Sequence, residues 1–90
     1  MSSDISDIGS IREQINSLDE KIVGLLNERA KLALELGRIK ATLGQKTYDP
    51  IREGAVIANI DRLNKGPLPK GSIEDIYRSI MTACREIQIT

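Results

Sequence analysis

From Ile8 to Leu43 the apolar positions fall in alternating steps of three and four: Ile8, Ile11, Ile15, Leu18, Ile22 and Leu25, then Leu32, Leu36, Ile39 and Leu43. That spacing is the heptad signature of one long helix that buries a single seam. The pattern is interrupted once, at Arg29, which stands between Leu25 and Leu32 where another Ile or Leu is due. A guanidinium stays protonated. Burying it unpaired costs on the order of several kcal/mol, against a total stability of ~5–9 kcal/mol for a chain of this size. No carboxylate shares the seam. Arg29 therefore either sets helix register, as polar seam residues do in coiled coils, or holds an anion supplied from outside the chain.

The pattern predicts three helices and no strands. The first runs from about Asp4 to about Leu43, with Gly44 as its C-cap glycine. Gly24 and Gly37 lie inside it, where each costs roughly 1 kcal/mol against Ala; an exposed face tolerates that, and close approach of another helix explains it. After a link over Gln45–Tyr48, Asp49 and Pro50 form the N-cap and first position of the second helix, whose apolar stripe is Val56, Ile60 and Leu63. Asn64–Gly71 holds Gly66, Pro67, Pro69 and Gly71 and breaks the pattern. The third helix is expected from Ser72, with Asp75 three residues on as a weaker capping box, and with Ile73, Ile76, Ile80, Cys84 and Ile87 as its stripe. Residues 1–90 make one all-α domain.

Length then decides the assembly. About forty helical residues at ~1.5 Å each span about 60 Å, whereas a compact globule of this size is about 30 Å across. Neither of the other helices can cover the first. The far end of the seam needs another chain, and an antiparallel homodimer closed by a two-fold axis is the simplest solution.

Composition narrows the function. Thirteen Lys plus Arg balance thirteen Asp plus Glu, so there is no basic field to attract nucleic acid. Trp and Phe are missing and only Tyr48 and Tyr77 are aromatic, so base-stacking platforms are nearly absent. No apolar run is long enough for a membrane, the Met1-Ser2-Ser3-Asp4 start has no leader character, and the lone Cys84 forms no intrachain disulfide. A cytoplasmic protein fits these features. There is no His, which removes the commonest general base and the commonest metal ligand, and Cys84 has no His to activate it. Any chemistry here is expected to need little proton transfer, no metal and no cofactor.

Several polar residues can converge. Lys40 follows Arg29 by eleven residues, which returns it to within about 20° of the same face and about 16 Å along the axis. A small anion fits between them. Arg12 lies about 25 Å from Arg29 along the helix and about 100° off that face. It can serve the same ligand only from an antiparallel partner. Arg52 and Glu53 sit in the first turn of the second helix beside exposed backbone N–H groups. Cys84 and Gln88, four apart, share a face of the third. Each has an ordinary reading alone: a snorkelling Lys40, a surface Arg12, helix-start decoration at Arg52 and Glu53, a small core Cys84, a terminal Gln88. Only the conjunction is informative.

That conjunction resembles a known family. The run from Ile11 through Ile22, the continuation Leu25-Leu26-Asn27-Glu28-Arg29-Ala30-Lys31-Leu32-Ala33, then Gly37-Arg38-Ile39-Lys40, Asp49-Pro50-Ile51-Arg52-Glu53 and Cys84-Arg85-Glu86-Ile87-Gln88 are similar, in order and spacing, to the all-helical chorismate mutases of the bacterial single-domain type. The likeness covers nearly the whole chain. It implies an intertwined dimer of three-helix chains with two equivalent sites that convert the dianion chorismate to prephenate, toward Phe and Tyr. Carried over by position, Arg29 and the Arg12 of the other chain would hold the substrate carboxylates. Lys40 would reach a carboxylate and the ether oxygen, and Gln88 would hydrogen-bond that oxygen. Glu53, with the backbone near Asp49, would hold the ring hydroxyl, and Arg52 would complete the cationic wall. Cys84 stands where the bacterial type often has Ser. As a weak donor, it would pack against the substrate.

The implied reaction agrees with the composition. It is a unimolecular rearrangement in which an ether C–O bond breaks as a C–C bond forms, so no proton, nucleophile or metal is required. Orientation and preorganised charge suffice. Two rivals stay open: an isochorismate-pyruvate lyase on the same fold, and a helical dimerisation or regulatory module without activity.

Overall fold

The computed structural model describes residues 4–89, with side chains over residues 7–88; the reading of the first three residues as no leader lies outside that range. Helix α1 spans Asp4–Thr42, α2 spans Pro50–Leu63 and α3 spans Lys70–Ile89. The described residues contain no strand.

The ends follow from local chemistry. At the α1 C-terminus Gly44 adopts φ 71°, the Gln45 N–H donates to the Lys40 carbonyl at 2.8 Å, and the Gly44 N–H donates to the Ala41 carbonyl at 3.2 Å. These two bonds make a Schellman motif, which needs a left-handed residue and so favours glycine. The N-cap of α2 is Asp49, whose carboxylate accepts the Arg52 N–H at 3.0 Å, with Pro50 first in the helix. Asn64 closes α2 through its own N–H to Ile60 and shapes the following loop by donating Nδ2 to the Leu68 carbonyl at 2.9 Å. Helix α3 starts two residues earlier than the sequence predicts. The Ile73 N–H donates to the Pro69 carbonyl at 3.1 Å, so the first turn closes on Pro69, and Ser72 lies inside that turn instead of capping it.

Helix α3 lies between the other two and packs against both, while α1 and α2 do not pack directly on each other. Its Met81 and Cys84, 5% and 7% exposed, are the only buried hydrophobic residues among those described. Ile73, Tyr77, Ile80 and Ile87 are half-buried around them. Ile76 departs from the expected stripe and is 46% exposed; eight residues from Cys84, it is rotated about 80° away from the packed face. In α2, Val56 and Ile60 are half-buried as expected, whereas Leu63 remains 54% exposed at the helix end.

The face of α1 that meets α3 is not the Ile/Leu seam. The half-buried positions are Arg29, the polar member of the seam itself, and Ala30, Ala33, Leu34, Gly37 and Lys40, a stripe that flanks the seam. Its small residues let α3 come close. A Cβ placed on Gly37 would meet Gln88 Cγ at 3.0 Å, whereas one on Gly24 would meet nothing within 4 Å. Every apolar seam residue from Ile8 to Leu43 is 47–66% exposed in the single chain. The molecule measures 65 × 24 × 15 Å, with a radius of gyration of 17.5 Å, against about 12 Å expected for a compact chain of this length. One chain therefore leaves its longest apolar surface open.

Candidate active site

The C-terminal part of α1, the link, the first two turns of α2 and the C-terminal half of α3 line a cleft of about 270 Å³. Seven of the eight residues singled out from sequence line it: Arg29, Lys40, Asp49, Arg52, Glu53, Cys84 and Gln88. Leu32, Ala33, Leu36, Val56 and Met81 supply its apolar walls. Arg12 is not among the lining residues; it lies on an exposed stretch of α1.

Local bonds fix several of these side chains. The Arg29 Nη1 donates to Cys84 Sγ at 3.2 Å. This gives the thiol an acceptor's role toward the arginine, a contact not expected from sequence. Sulfur is a weak acceptor, so it orients the guanidinium without neutralising it. Lys40 Nζ donates to the Thr47 carbonyl at 3.1 Å, tying the end of α1 to the link where both residues line the cleft. Gln88 lies against Gly37, and its Oε1 is buried with no hydrogen-bond partner among the described residues. A buried carbonyl oxygen without a donor is costly; the Nε2 of the same amide is the group that can donate to a ligand in the cleft.

The charge balance is more specific than the cation count. Arg29, Lys40, Arg52 and Arg85 face two carboxylates, Asp49 and Glu53. Asp49 is committed to capping α2, and Glu53 Oε2 accepts from Arg85 Nε at 2.7 Å. Arg29, Lys40 and Arg52 therefore have no carboxylate partner among the described residues. Three unneutralised cations around a small cleft attract a compact polyanion, and a neutral amide beside them can address an uncharged oxygen.

Sequence reasoning missed Arg85. It enters the site through α3, one residue after Cys84 and three before Gln88. Its spacing to Gln88 places both toward one side of that helix, which was the available signal. Its partner lies on α2, so only the packing of α2 on α3 shows the pair. The described residues hold no group of three or more potential metal ligands, and no helix among them is long and apolar enough to cross a membrane.

Comparison with known proteins supplies an independent line. The family model described as chorismate mutase type II matches residues 11–89. The bifunctional chorismate mutase/prephenate dehydratase of Pseudomonas aeruginosa is 37% identical over 91 residues, a match covering 96% of this chain and 25% of that protein. The protein of the same name from Aquifex aeolicus is 38% identical over 88 residues, covering 93% and 24%. The chain thus spans about a quarter of the length of these curated relatives. Among solved structures, chorismate mutase (Form II) from Thermus thermophilus superposes with a TM-score of 0.89 at 32% identity, covering 91% of this chain and 93% of that one.

Proposed function

The chain belongs to the chorismate mutase type II family, and from that premise we propose that it rearranges chorismate to prephenate. The observation that carries this reading is the set of Arg29, Lys40 and Arg52, all without carboxylate partners among the described residues, around a cleft that the neutral amide of Gln88 also lines. A dianion answers the charge. An ether oxygen that gains negative charge as its C–O bond breaks answers the amide and the ammonium.

In this reading Arg29 grips one substrate carboxylate, and Lys40 contacts a carboxylate and the ether oxygen. Gln88 donates to the ether oxygen, and Arg52 closes the cationic wall. The ring hydroxyl donates to Glu53 beside the backbone near Asp49, and Cys84 forms part of the floor. Preorganised donors aimed at developing charge stabilise the transition state without moving during the reaction. Holding the enolpyruvyl group over the ring supplies the orientation that a unimolecular reaction still requires.

The cleft needs one more wall, and the exposed α1 seam needs a cover. An antiparallel homodimer provides both: the seam packs against its copy, and Arg12 of the partner subunit reaches the open side of the cleft to hold the second carboxylate.

The test is a continuous assay of chorismate loss with product identification, run beside isochorismate. Prephenate as the product of chorismate is expected. Unchanged chorismate, or pyruvate released from isochorismate at the higher kcat/KM, overturns the reading. Arg29→Leu completes the seam. It is expected to lower kcat/KM by about 10²–10³ while the helical content survives. A purely structural dimerisation module predicts instead that whatever activity the protein has is indifferent to this change.

A further inference from the structure

Glu53 is a carboxylate inside a cleft whose other charged groups await carboxylates. Arg52, its chain neighbour, and Lys40 line the same cleft, and either would be a natural ion-pair partner for it. Such a pair would use up a cation intended for the ligand. The structure gives Glu53 a different partner. Arg85 Nε donates to Glu53 Oε2 at 2.7 Å, with the two side chains 32% and 23% exposed. The guanidinium is held on two further sides: its carbon stands 4.6 Å from the centroid of the Tyr48 ring, and its Nη2 donates to Thr82 Oγ1 at 3.4 Å. The link, α2 and α3 thus meet on one arginine. Glu53 Oε1 makes no hydrogen bond among the described residues, so one carboxylate oxygen stays available.

We infer that Arg85 is a positioning residue for the reaction, acting through Glu53. It neutralises that carboxylate and draws it to the α3 side of the cleft. Arg29, Lys40 and Arg52 then remain unpaired for the dianion, and Oε1 remains aligned as an acceptor. A planar guanidinium suits the task better than an ammonium, because it can stack on Tyr48 while its edge binds the carboxylate. Without Arg85, Glu53 both competes for the cationic wall and repels the incoming ligand; the partial burial of the pair limits the screening of either effect. The inference rests on the proposed chorismate mutase activity.

The experiment measures KM and kcat for chorismate, and the calorimetric Kd of prephenate, in wild type, Arg85→Met, Arg85→Lys, Glu53→Gln and the Arg85→Met/Glu53→Gln double variant. Arg85→Met is expected to raise KM and Kd about tenfold, with a much smaller change in kcat. Arg85→Lys, which restores the charge without the stack, recovers most of that loss. In the Glu53→Gln background, Arg85→Met changes KM less than about twofold, because the competing charge has already gone. An Arg85→Met protein that is less stable yet binds prephenate like wild type overturns the inference, as do effects that simply add in the double variant. If Arg85→Met fails to fold, Tyr48→Leu decides. It leaves both ions in place but removes the orienting ring, and it is expected to raise KM by about threefold; an unchanged KM counts against the inference. A wild-type protein that neither forms nor binds prephenate sinks the parent reading, whereas normal wild-type behaviour with an unaffected Arg85→Met sinks this inference alone.

Discussion

Gln88 is a neutral side chain in a wall of ions, and that neutrality has a consequence at the scale of one residue. Its Oε1 is packed against Gly37 without a hydrogen bond among the described residues, and the amide has no proton to lose near neutral pH. A hydrogen bond donated to the substrate's ether oxygen would therefore persist across the neutral range. Gln88→Glu replaces the donor by a group that donates only when protonated. The variant is expected to work at acid pH and to lose activity as its carboxyl ionises, while wild type keeps a flat profile over the same range. Rate–pH curves of the two proteins check this; parallel curves place Gln88 outside the reaction. Arg29 makes the complementary point. Its side-chain bond among the described residues, to Cys84 Sγ, orients the guanidinium but leaves its charge for a ligand.

At the scale of elements, the contact between α2 and α3 carries a pH dependence away from the cleft. Asp61 Oδ1 on α2 is buried and accepts no hydrogen bond among the described residues, and the Glu74 side chain on α3 is 17% exposed. Glu74 holds its proton above the usual glutamate range, first because its carboxyl can hydrogen-bond Asp61 only when protonated, then through burial and the Asp61 charge. Arg78, 3.6 Å from Glu74, and Lys70 oppose the shift. A carboxyl whose folded pKa is raised stabilises the fold most below its unfolded pKa and loses that contribution as pH rises through the folded one. Stability should therefore fall as pH climbs from the ordinary glutamate range through the raised value. Asp61→Asn supplies a neutral partner for Glu74 in place of a charge. It is expected to raise the urea midpoint at neutral pH and to flatten this part of the profile. Superimposable midpoint–pH curves for variant and wild type would remove the pair from the account.

At the scale of the whole molecule, a 65 Å rod with its apolar seam open to water is not expected to stand as a stable monomer. Folding coupled to association makes the unfolding midpoint rise with protein concentration. The proposed antiparallel pairing also predicts a pattern of complementation. Arg12 and Arg29 are seventeen residues apart in α1, about 25 Å along its axis, so one chain cannot bring both to one small ligand. Arg12→Ala and Arg29→Ala homodimers should each be nearly inactive. Refolded together, half the dimers are hybrids, in which one site carries both substitutions and the other carries neither. Roughly a quarter of wild-type activity should return, by the two-fold count of sites. Native mass spectrometry confirms the hybrids. Confirmed hybrids without recovered activity would assign Arg12 to its own chain or to no site.

The sequence by itself determined the three helices, because heptad spacing, the Gly44 cap and the Asp49-Pro50 start are local signals that act within a few residues. It also determined the residues that face the cleft from α1 and from the start of α2, since helical geometry alone relates Arg29 to Lys40 and Arg52 to Glu53. The excess of cations over free carboxylates was only half legible. The residue types were visible, but which carboxylates are already occupied depends on contacts between helices. The tertiary structure decided that α3 packs on the small-residue stripe beside the seam, where Ala30, Ala33 and Gly37 permit close approach. It also joined Cys84 to Arg29 and gave Glu53 to Arg85, across 55 and 32 residues of chain. Pairings at that separation leave no periodic trace, because the angle and depth at which two helices pack are set by side-chain volumes along the whole contact. Helical spacing fixes which side chains share a face, and packing alone fixes which charge meets which.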